Sequence, residues 1–126
     1  TDPVAFLKDA NRALKVGGYV MAYSPNIHSL AFVLMGNRQN TLYPYQHTAF
    51  FDKKSLEFLA KKTGFVLHSL EFYGLDIMDY LCMKQYDDRY DYFGKLRDAI
   101  PLLQAVIDKQ GLGNHLRVIF KKTKNV

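Results

Sequence analysis

Residues 14–26 read LKVGGYVMAYSPN and are the most informative segment of the sequence for the fold. Gly17 and Gly18 accept positive φ angles at no steric cost, which indicates the cap at the end of a helix. Residues 19–23 show no alternation of polar and apolar side chains, as is typical of a parallel strand covered by helices on both faces. Ligands of open α/β sheets bind just beyond the carboxyl ends of such strands. Residues 24–26 are therefore the first place to expect functional side chains.

Helices and strands alternate along the rest of the chain. Asp2 and Asp52 are side-chain acceptors at the start of two amphipathic segments, and Asp76 is expected to cap a third helix. Residues 65–73 are predicted to form a second strand. Residues 115–122 alternate polar and apolar side chains, as an antiparallel or edge strand does. This order of elements predicts an α/β fold.

The composition is that of a folded protein, because 48% of the 126 residues are hydrophobic and 14% are aromatic. Cys82 is the single cysteine, which excludes an internal disulfide and a cysteine-based zinc site, and its apolar surroundings predict that it is buried. The net charge of +5 is scattered along the chain, whereas a nucleic-acid interface usually needs a denser basic stripe. No apolar run reaches the length of a membrane-spanning helix. We therefore expect a cytoplasmic protein that binds neither nucleic acid nor membranes.

Eight short segments form a series that occurs in one known family. They are Asp2-Pro3, Phe6-Leu7-Lys8, Arg12-Ala13-Leu14-Lys15-Val16-Gly17-Gly18-Tyr19, Ser24-Pro25-Asn26, His47, Phe50-Phe51, Ser55-Leu56 and Gly64-Phe65. Together they resemble the second half of a class I S-adenosylmethionine-dependent methyltransferase. The resemblance implies a single partial domain over residues 1–126, with a cover on the substrate side at about residues 37–50.

The resemblance also implies a particular sheet, the C-terminal part of the Rossmann-like sheet of that family. Its three strands would lie at residues 19–23, 65–73 and 115–122, with helices flanking them. The last strand would be antiparallel and would lie between the other two. Residues 19–23 would then lack their usual neighbour and present an apolar edge, which favours pairing with another chain. We therefore expect a homo-oligomer formed through this exposed strand edge.

The cofactor-binding half of the family is missing from the sequence. That half holds S-adenosylmethionine with a glycine-rich turn that follows the first strand and opens a helix. Only Gly111-Leu112-Gly113 has the required spacing, but it follows a predicted helix and precedes a predicted strand. No residue of this chain is therefore assigned to cofactor binding. S-adenosyl-L-methionine is expected for the parent enzyme, and the chain alone is expected neither to bind it nor to be active.

The resemblance places His47 at a point that faces the cleft of the family. An imidazole titrates near neutrality, so His47 is a candidate general base close to the methyl acceptor. The alternative is a structural role, in which His47 hydrogen-bonds a loop carbonyl and positions the cover. Both interpretations remain open from the sequence.

Five further residues have the location expected of a substrate-binding site: Tyr23, Ser24, Asn26, Tyr43 and Tyr45. Asn26 follows the first strand and could hydrogen-bond a ligand, but it could equally cap the next helix. The two loop tyrosines could line an acceptor pocket or simply cover apolar surface. The acceptor, a small molecule or another methyl acceptor, is not identified by these residues.

The remaining histidines give no sign of a metal site. His28, His68 and His115 are isolated in sequence from one another and from paired carboxylates, so no metal is expected. Two functions fit the sequence. The first is the acceptor-side portion of a methyltransferase, and the alternative is a non-catalytic α/β module that serves in binding or assembly.

Overall fold

The computed structural model describes residues 2–126. Six helices, one short 3-10 turn and three strands follow one another in these residues: α1 Pro3–Ala13, β1 Tyr19–Pro25, α2 Leu30–Met35, the 3-10 turn Gly36–Arg38, α3 Lys53–Lys62, β2 Phe65–Tyr73, α4 Asp76–Asp88, α5 Tyr92–Leu96, α6 Ile100–Lys109 and β3 His115–Lys122. The bounds predicted for the second and third strands are confirmed.

The three strands form one sheet in the order β1-β3-β2. The amide of Gly17 donates to the carbonyl of Lys122 at one end of the β1–β3 pair, and Asn26 donates to Asn114 at the other. β3 therefore runs antiparallel to β1. The amide of Thr123 donates to the carbonyl of Gly64, which pairs the end of β3 with the start of β2. The predicted sheet, with an antiparallel last strand between the other two, is confirmed.

Local sequence signals place the starts of the first and third helices correctly. The carboxylate of Asp2 accepts the amide of Val4 at 2.8 Å, and proline occupies the first turn of α1. Asp52 and Ser55 form a reciprocal capping box at the start of α3. The prediction for Asp76 is wrong, because Leu75 is the N-cap of α4 and no side chain caps it. Cys82, on the same helix, is exposed rather than buried.

The chain divides into two units. The first unit contains the described residues up to Tyr23, residues 51–71 and residues 117–126, and the second contains residues 24–50 and 72–116. Apolar side chains form the core of the first unit: Leu7, Leu56, Leu59, Ala60, Phe65, Val118 and Phe120. The buried residues of the second unit are more polar, since Asn26, Asp76, Gln104 and Asn114 accompany Ala31, Met35, Leu81 and Leu116.

The prediction that β1 is covered on both faces is wrong. Tyr19, Met21 and Tyr23 are 50%, 55% and 56% exposed, while the residues between them are half-buried. β1 is an edge strand whose alternate side chains point to solvent, and an apolar run therefore does not prove burial on both sides. The prediction of positive φ angles is right for Gly17 and wrong for Gly18, and its place as a helix cap is shifted. Gly17 has a φ of +89°, although α1 already ends at Ala13 with Leu14 as its cap.

Candidate functional site

Polar side chains of the second unit meet where the strands begin and end. β1 and β2 run parallel, so their carboxyl ends lie at one edge of the sheet, and the amino end of the antiparallel β3 lies at the same edge. Four residues at this edge form what we call the polar cluster: Asp76, Asp79, Asn114 and His115. The carboxyl edge is where open α/β sheets bind ligands. This cluster is therefore the candidate functional site.

Asp76 is the buried anchor of the cluster. One carboxylate oxygen accepts the amide of Ala31 at 3.0 Å, and the other accepts the amide of Asn114 and the side-chain amide of Gln104, both at 2.9 Å. These bonds join three segments that are distant in sequence. Gly74 leaves room for them, because a Cβ at that position would lie 2.4 Å from the side-chain oxygen of Asn114. Asp76 is thus saturated with hydrogen bonds and acts as a structural residue.

Asn114 connects the cluster to the backbone and to a second carboxylate. It is fully buried, its Oδ1 accepts the amide of Leu75 at 3.1 Å, and its Nδ2 donates to Asp79 at 3.2 Å. Nδ1 of His115 lies 2.8 Å from the same Oδ1. The side chain of Asn114 therefore contacts both Asp79 and His115.

His115 is half-buried, and its ring stacks on Tyr73 at 5.8 Å with an interplanar angle of 21°. Burial lowers its pKa below the ordinary 6.5, Asp79 and Asp76 oppose this, and the charge of His47 lowers the pKa further. A neutral imidazole is therefore favoured at this position near pH 7. Such a group can accept a proton from a bound ligand.

Asp79 is the second carboxylate of the cluster. Burial raises its pKa above the ordinary 3.8, while hydrogen bonds from Asn114 and Asn40 lower it. Asn40 belongs to the loop that the sequence predicts as a substrate cover. Arg38 fixes the start of this loop to α4 through two hydrogen bonds with Asp87, at 2.8 and 2.9 Å.

The structure brings one predicted site residue, His47, into electrostatic reach of His115. Its backbone amide donates to the carbonyl of Tyr43 at 2.9 Å, which closes a turn of the cover loop. The rings of Tyr43 and Tyr45 lie 5.6 Å apart, and Tyr45 is 88% exposed. The loop tyrosines therefore contact each other, and Tyr45 lies almost entirely in solvent.

The predicted residues of β1 and the turn after it occupy different surroundings. Asn26 is buried, and its Nδ2 donates to the carbonyls of Gly111 and Gly113 at 3.1 and 2.9 Å. Its Oδ1 accepts the amide of His28 at 3.0 Å, so the side chain braces the turn from inside. Ser29, not Asn26, caps α2.

Ser24 and Tyr23 complete the set of predicted residues. The hydroxyl of Ser24 donates to the carbonyl of Pro25 at 3.3 Å. Tyr23 lies in the first unit, and its hydroxyl approaches the sulfur of Met21 at 3.6 Å. A hydrogen bond with Tyr23 is also one of the interactions that raise the pKa of Arg117, after the larger effect of Glu71.

Sequence reasoning missed Asp79, Asn114 and His115 as a group. His115 and Asp79 come from elements that are far apart in the chain, so no local spacing connects them. The predicted topology contained the signal, however. An antiparallel strand between two parallel ones starts at the edge where the others end, which places Asn114 and His115 there.

The part of the chain that the structure describes contains neither a candidate metal site nor a candidate membrane-spanning helix. Among residues 2–126, no three or more His, Cys, Asp or Glu side chains come together as a metal site would require. None of the helices in that range combines the length and the apolar character needed to cross a membrane.

Comparison with known proteins gives matches only in structure. No family model matches the chain, and no curated protein matches it in sequence. A structure of phosphoethanolamine N-methyltransferase 2 from Haemonchus contortus in complex with S-adenosyl-L-methionine matches with a TM-score of 0.51 and 18% identity, over 98% of this chain and 30% of that chain. A second structure of that enzyme, with phosphomonomethylethanolamine and S-adenosylhomocysteine, gives a TM-score of 0.48 and 20% identity, with the same two coverages of 98% and 30%. The chain thus spans about 30% of the chain it matches. The predicted resemblance to part of a class I methyltransferase is confirmed for the fold.

Proposed function

We propose that this chain is the acceptor-side portion of an S-adenosylmethionine-dependent methyltransferase. The polar cluster carries the proposal, since it places a neutral-favouring imidazole and two carboxylates at the ligand-binding edge of the sheet. The fold supports it, because the same arrangement of elements occurs within a methyltransferase chain that is more than three times as long, of which this chain covers 30%. The acceptor would be a small molecule with an N–H or O–H group that can lose a proton.

The residues of the chain do not fit the cofactor. A nucleoside-binding turn in this fold follows a strand and opens a helix. The glycines with positive φ among residues 2–126 all follow helices instead: Gly17, Gly36, Gly64 and Gly111. We therefore propose that the cofactor is held by residues outside this chain, and that the chain alone is inactive.

The first unit has a surface where such residues would dock. Its sheet exposes one apolar face, which we call the open face and define as Tyr19, Met21, Tyr23, Val66 and His68. Tyr19 meets His68 edge-on at 5.1 Å and lies under the ammonium of Lys121, so side chains of all three strands share this face. Parallel sheets of α/β proteins are covered by helices on both faces. We propose that the cofactor-binding portion of the same domain covers the open face and pairs with the edge of β1.

A charge introduced at Met21 tests whether the cofactor-binding portion covers the open face. In the longest natural form of the protein that contains this chain, Met21→Glu should lower the free energy of unfolding more than Phe58→Glu, which charges an exposed aromatic residue outside the open face. Light scattering should show that this longer form is a monomer. A dimer that Met21→Glu dissociates would assign the open face to a second copy, as the exposed edge predicts from sequence, and would overturn this part of the proposal.

Methyl transfer in that longer form tests the function itself. The assay follows transfer of an isotopically labelled methyl group from S-adenosylmethionine to candidate amines and alcohols. His115→Ala should reduce turnover about 100-fold, the usual effect of losing a general base. Gln110→Ala, at an exposed residue of the second unit outside the polar cluster, is the control and should retain activity. Equal activity of the two variants would contradict the role of the cluster.

The alternative is a binding or assembly module without catalysis. The absence of a cofactor-type turn at the positive-φ glycines of residues 2–126 fits this alternative as well as it fits the first proposal. This alternative predicts that the longer natural form also fails to bind S-adenosylmethionine. Saturable binding of the cofactor by the longer form would exclude it.

A further inference from the structure

We propose that Asn114 is a positioning residue that holds His115 in the tautomer with its proton on Nδ1, so that Nε2 is the atom that accepts a proton from the ligand. The catalytic half of this inference rests on the proposed function, whereas the tautomer itself does not.

The orientation of the Asn114 amide is fixed by two different partners. Its Oδ1 receives the backbone N–H of Leu75 at 3.1 Å, and its Nδ2 donates to the carboxylate of Asp79 at 3.2 Å. A flipped amide would direct N–H groups at the N–H of Leu75 and its oxygen at the carboxylate. Both contacts would become repulsive, so the flip is excluded.

The fixed oxygen then determines where the imidazole proton lies. Nδ1 of His115 is 2.8 Å from Oδ1 of Asn114, and an amide oxygen only accepts hydrogen bonds. Nδ1 must therefore carry the hydrogen. A neutral imidazole has one N–H, which leaves the lone pair on Nε2. The hydrogen bond of His115 to Asn114 uses Nδ1, so Nε2 is the ring nitrogen that remains for a ligand.

The surroundings of the ring favour the neutral form and hold it in place. Tyr73 stacks on it at 5.8 Å, and the charged or titratable groups facing it are Asp79 and Asp76 from α4 and His47 from the cover loop. Burial is the largest influence and lowers the pKa of His115.

When Nε2 takes a proton from the N–H or O–H of an acceptor, the electron pair of the broken bond stays on the acceptor atom. The imidazolium that forms is stabilised by Asp79, and its proton passes to solvent from the half-buried ring.

Nitrogen NMR of the protein labelled at its histidines tests the tautomer directly. Above the pKa of His115, the wild-type spectrum should show a protonated Nδ1 and an unprotonated Nε2, assigned by the signals that disappear in His115→Gln. Asn114→Asp keeps an acceptor at the same place and should retain this tautomer while raising the pKa of His115. Asn114→Leu removes the acceptor and should shift the equilibrium toward Nε2–H.

Asn114→Leu also leaves the N–H of Leu75 without a partner and could unfold the protein, but the wild-type spectrum and Asn114→Asp do not depend on it. A wild-type His115 protonated on Nε2 would overturn the inference. In an active longer form, Asn114→Asp should move the acidic limb of the pH–rate profile to higher pH. A merely structural role of Asn114 would not move this limb. An unmoved limb would therefore overturn the inference that Asn114 positions His115 for proton transfer. If the tautomer is as inferred but the longer form transfers no methyl group, the proposed function fails and the positioning by Asn114 stands.

Discussion

The two units bury polar groups in different ways. In the first unit, the ammonium of Lys122 is almost fully buried and donates to the carbonyls of Asn11 and Leu14 at 2.6 and 2.7 Å. The side-chain amide of Asn11 donates to the carbonyls of Thr63 and Lys124 at 3.0 and 2.9 Å. All of these acceptors are backbone groups. They lie at the end of α1 and of α3 and after β3, where carbonyls lack regular partners.

In the second unit, buried polar side chains bond to one another as well as to the backbone. Asp79, Asn114 and His115 form a chain of side-chain contacts, and two of the three are only half-buried. The contact of His115 with Asn114 uses Nδ1, which leaves Nε2 for a ligand. Polar groups that satisfy backbone carbonyls hold the first unit together, whereas the half-buried Asp79 and His115 of the second unit are the groups that we propose act on a ligand.

The largest effect on stability is expected from Lys122→Met. The buried carbonyl of Asn11 and the half-buried carbonyl of Leu14 would lose a charged donor, so the free energy of unfolding should fall by about 3 kcal/mol. Urea denaturation measures it. Lys121→Met changes the preceding lysine, which is only half-buried, and should stay within about 0.5 kcal/mol of the wild type. Similar losses for the two variants would show that Lys122 has no special structural role.

Asp76→Asn is expected to have the next largest effect. One of its oxygens, each of which accepts hydrogen bonds from other segments, would be replaced by an NH2 group that faces a donor. The free energy of unfolding should fall by about 2 kcal/mol. Asp79→Asn is the matched control on the same helix and should change it by less than about 1 kcal/mol at neutral pH. If Asp79→Asn were the more damaging change, the division into a structural and a functional carboxylate would be wrong.

Asp79 should also affect how stability depends on pH. Its pKa in the folded protein is raised above the ordinary 3.8, chiefly by burial, so the native state binds more protons than the unfolded state just above that value. The contribution of Asp79 to the free energy of unfolding is therefore present below pH 3.8, and it is lost as the pH rises through the raised pKa of Asp79. Asp79→Asn should abolish this loss. Identical pH profiles for the variant and the wild type would contradict the raised pKa.

His115 should act in the opposite direction and over a higher range of pH. Burial lowers its pKa below 6.5, so its contribution to stability is present above pH 6.5 and is lost as the pH falls through the lowered pKa. His115→Gln should make the stability curve shallower on the acid side of pH 6.5. Gln46→Ala removes no titrating group and is the control. An unchanged slope in His115→Gln would mean that the imidazole is not shielded as the structure indicates.

The sequence was sufficient for the sheet but not for its surfaces. Alternation and family resemblance located β2 and β3 to the residue and ordered the strands, because both depend on local pattern and known topology. The burial of β1 depends instead on what covers it. The apolar run of residues 19–23 looks the same in sequence whether or not a second layer is present, so its exposure could not be predicted.

The candidate site was predicted only in part, for a related reason. The resemblance placed His47 at a cleft, and its role stays a prediction, whereas the contact of Asn114 with Asp79 requires β3 and α4 to be folded. Asp76 was assigned to a helix cap because capping rules are local. Its partners are the amides of Ala31 and Asn114, far away in the chain, and no local rule includes them.

The central proposal is that this chain contributes the acceptor side of a methyltransferase and does not bind the cofactor. A calorimetric titration of the 126-residue chain with S-adenosylmethionine tests it most directly. We predict no saturable heat of binding at cofactor concentrations up to about 1 mM, the upper end of ordinary enzyme affinities for substrates. Tight binding of one molecule of S-adenosylmethionine per chain would contradict the account.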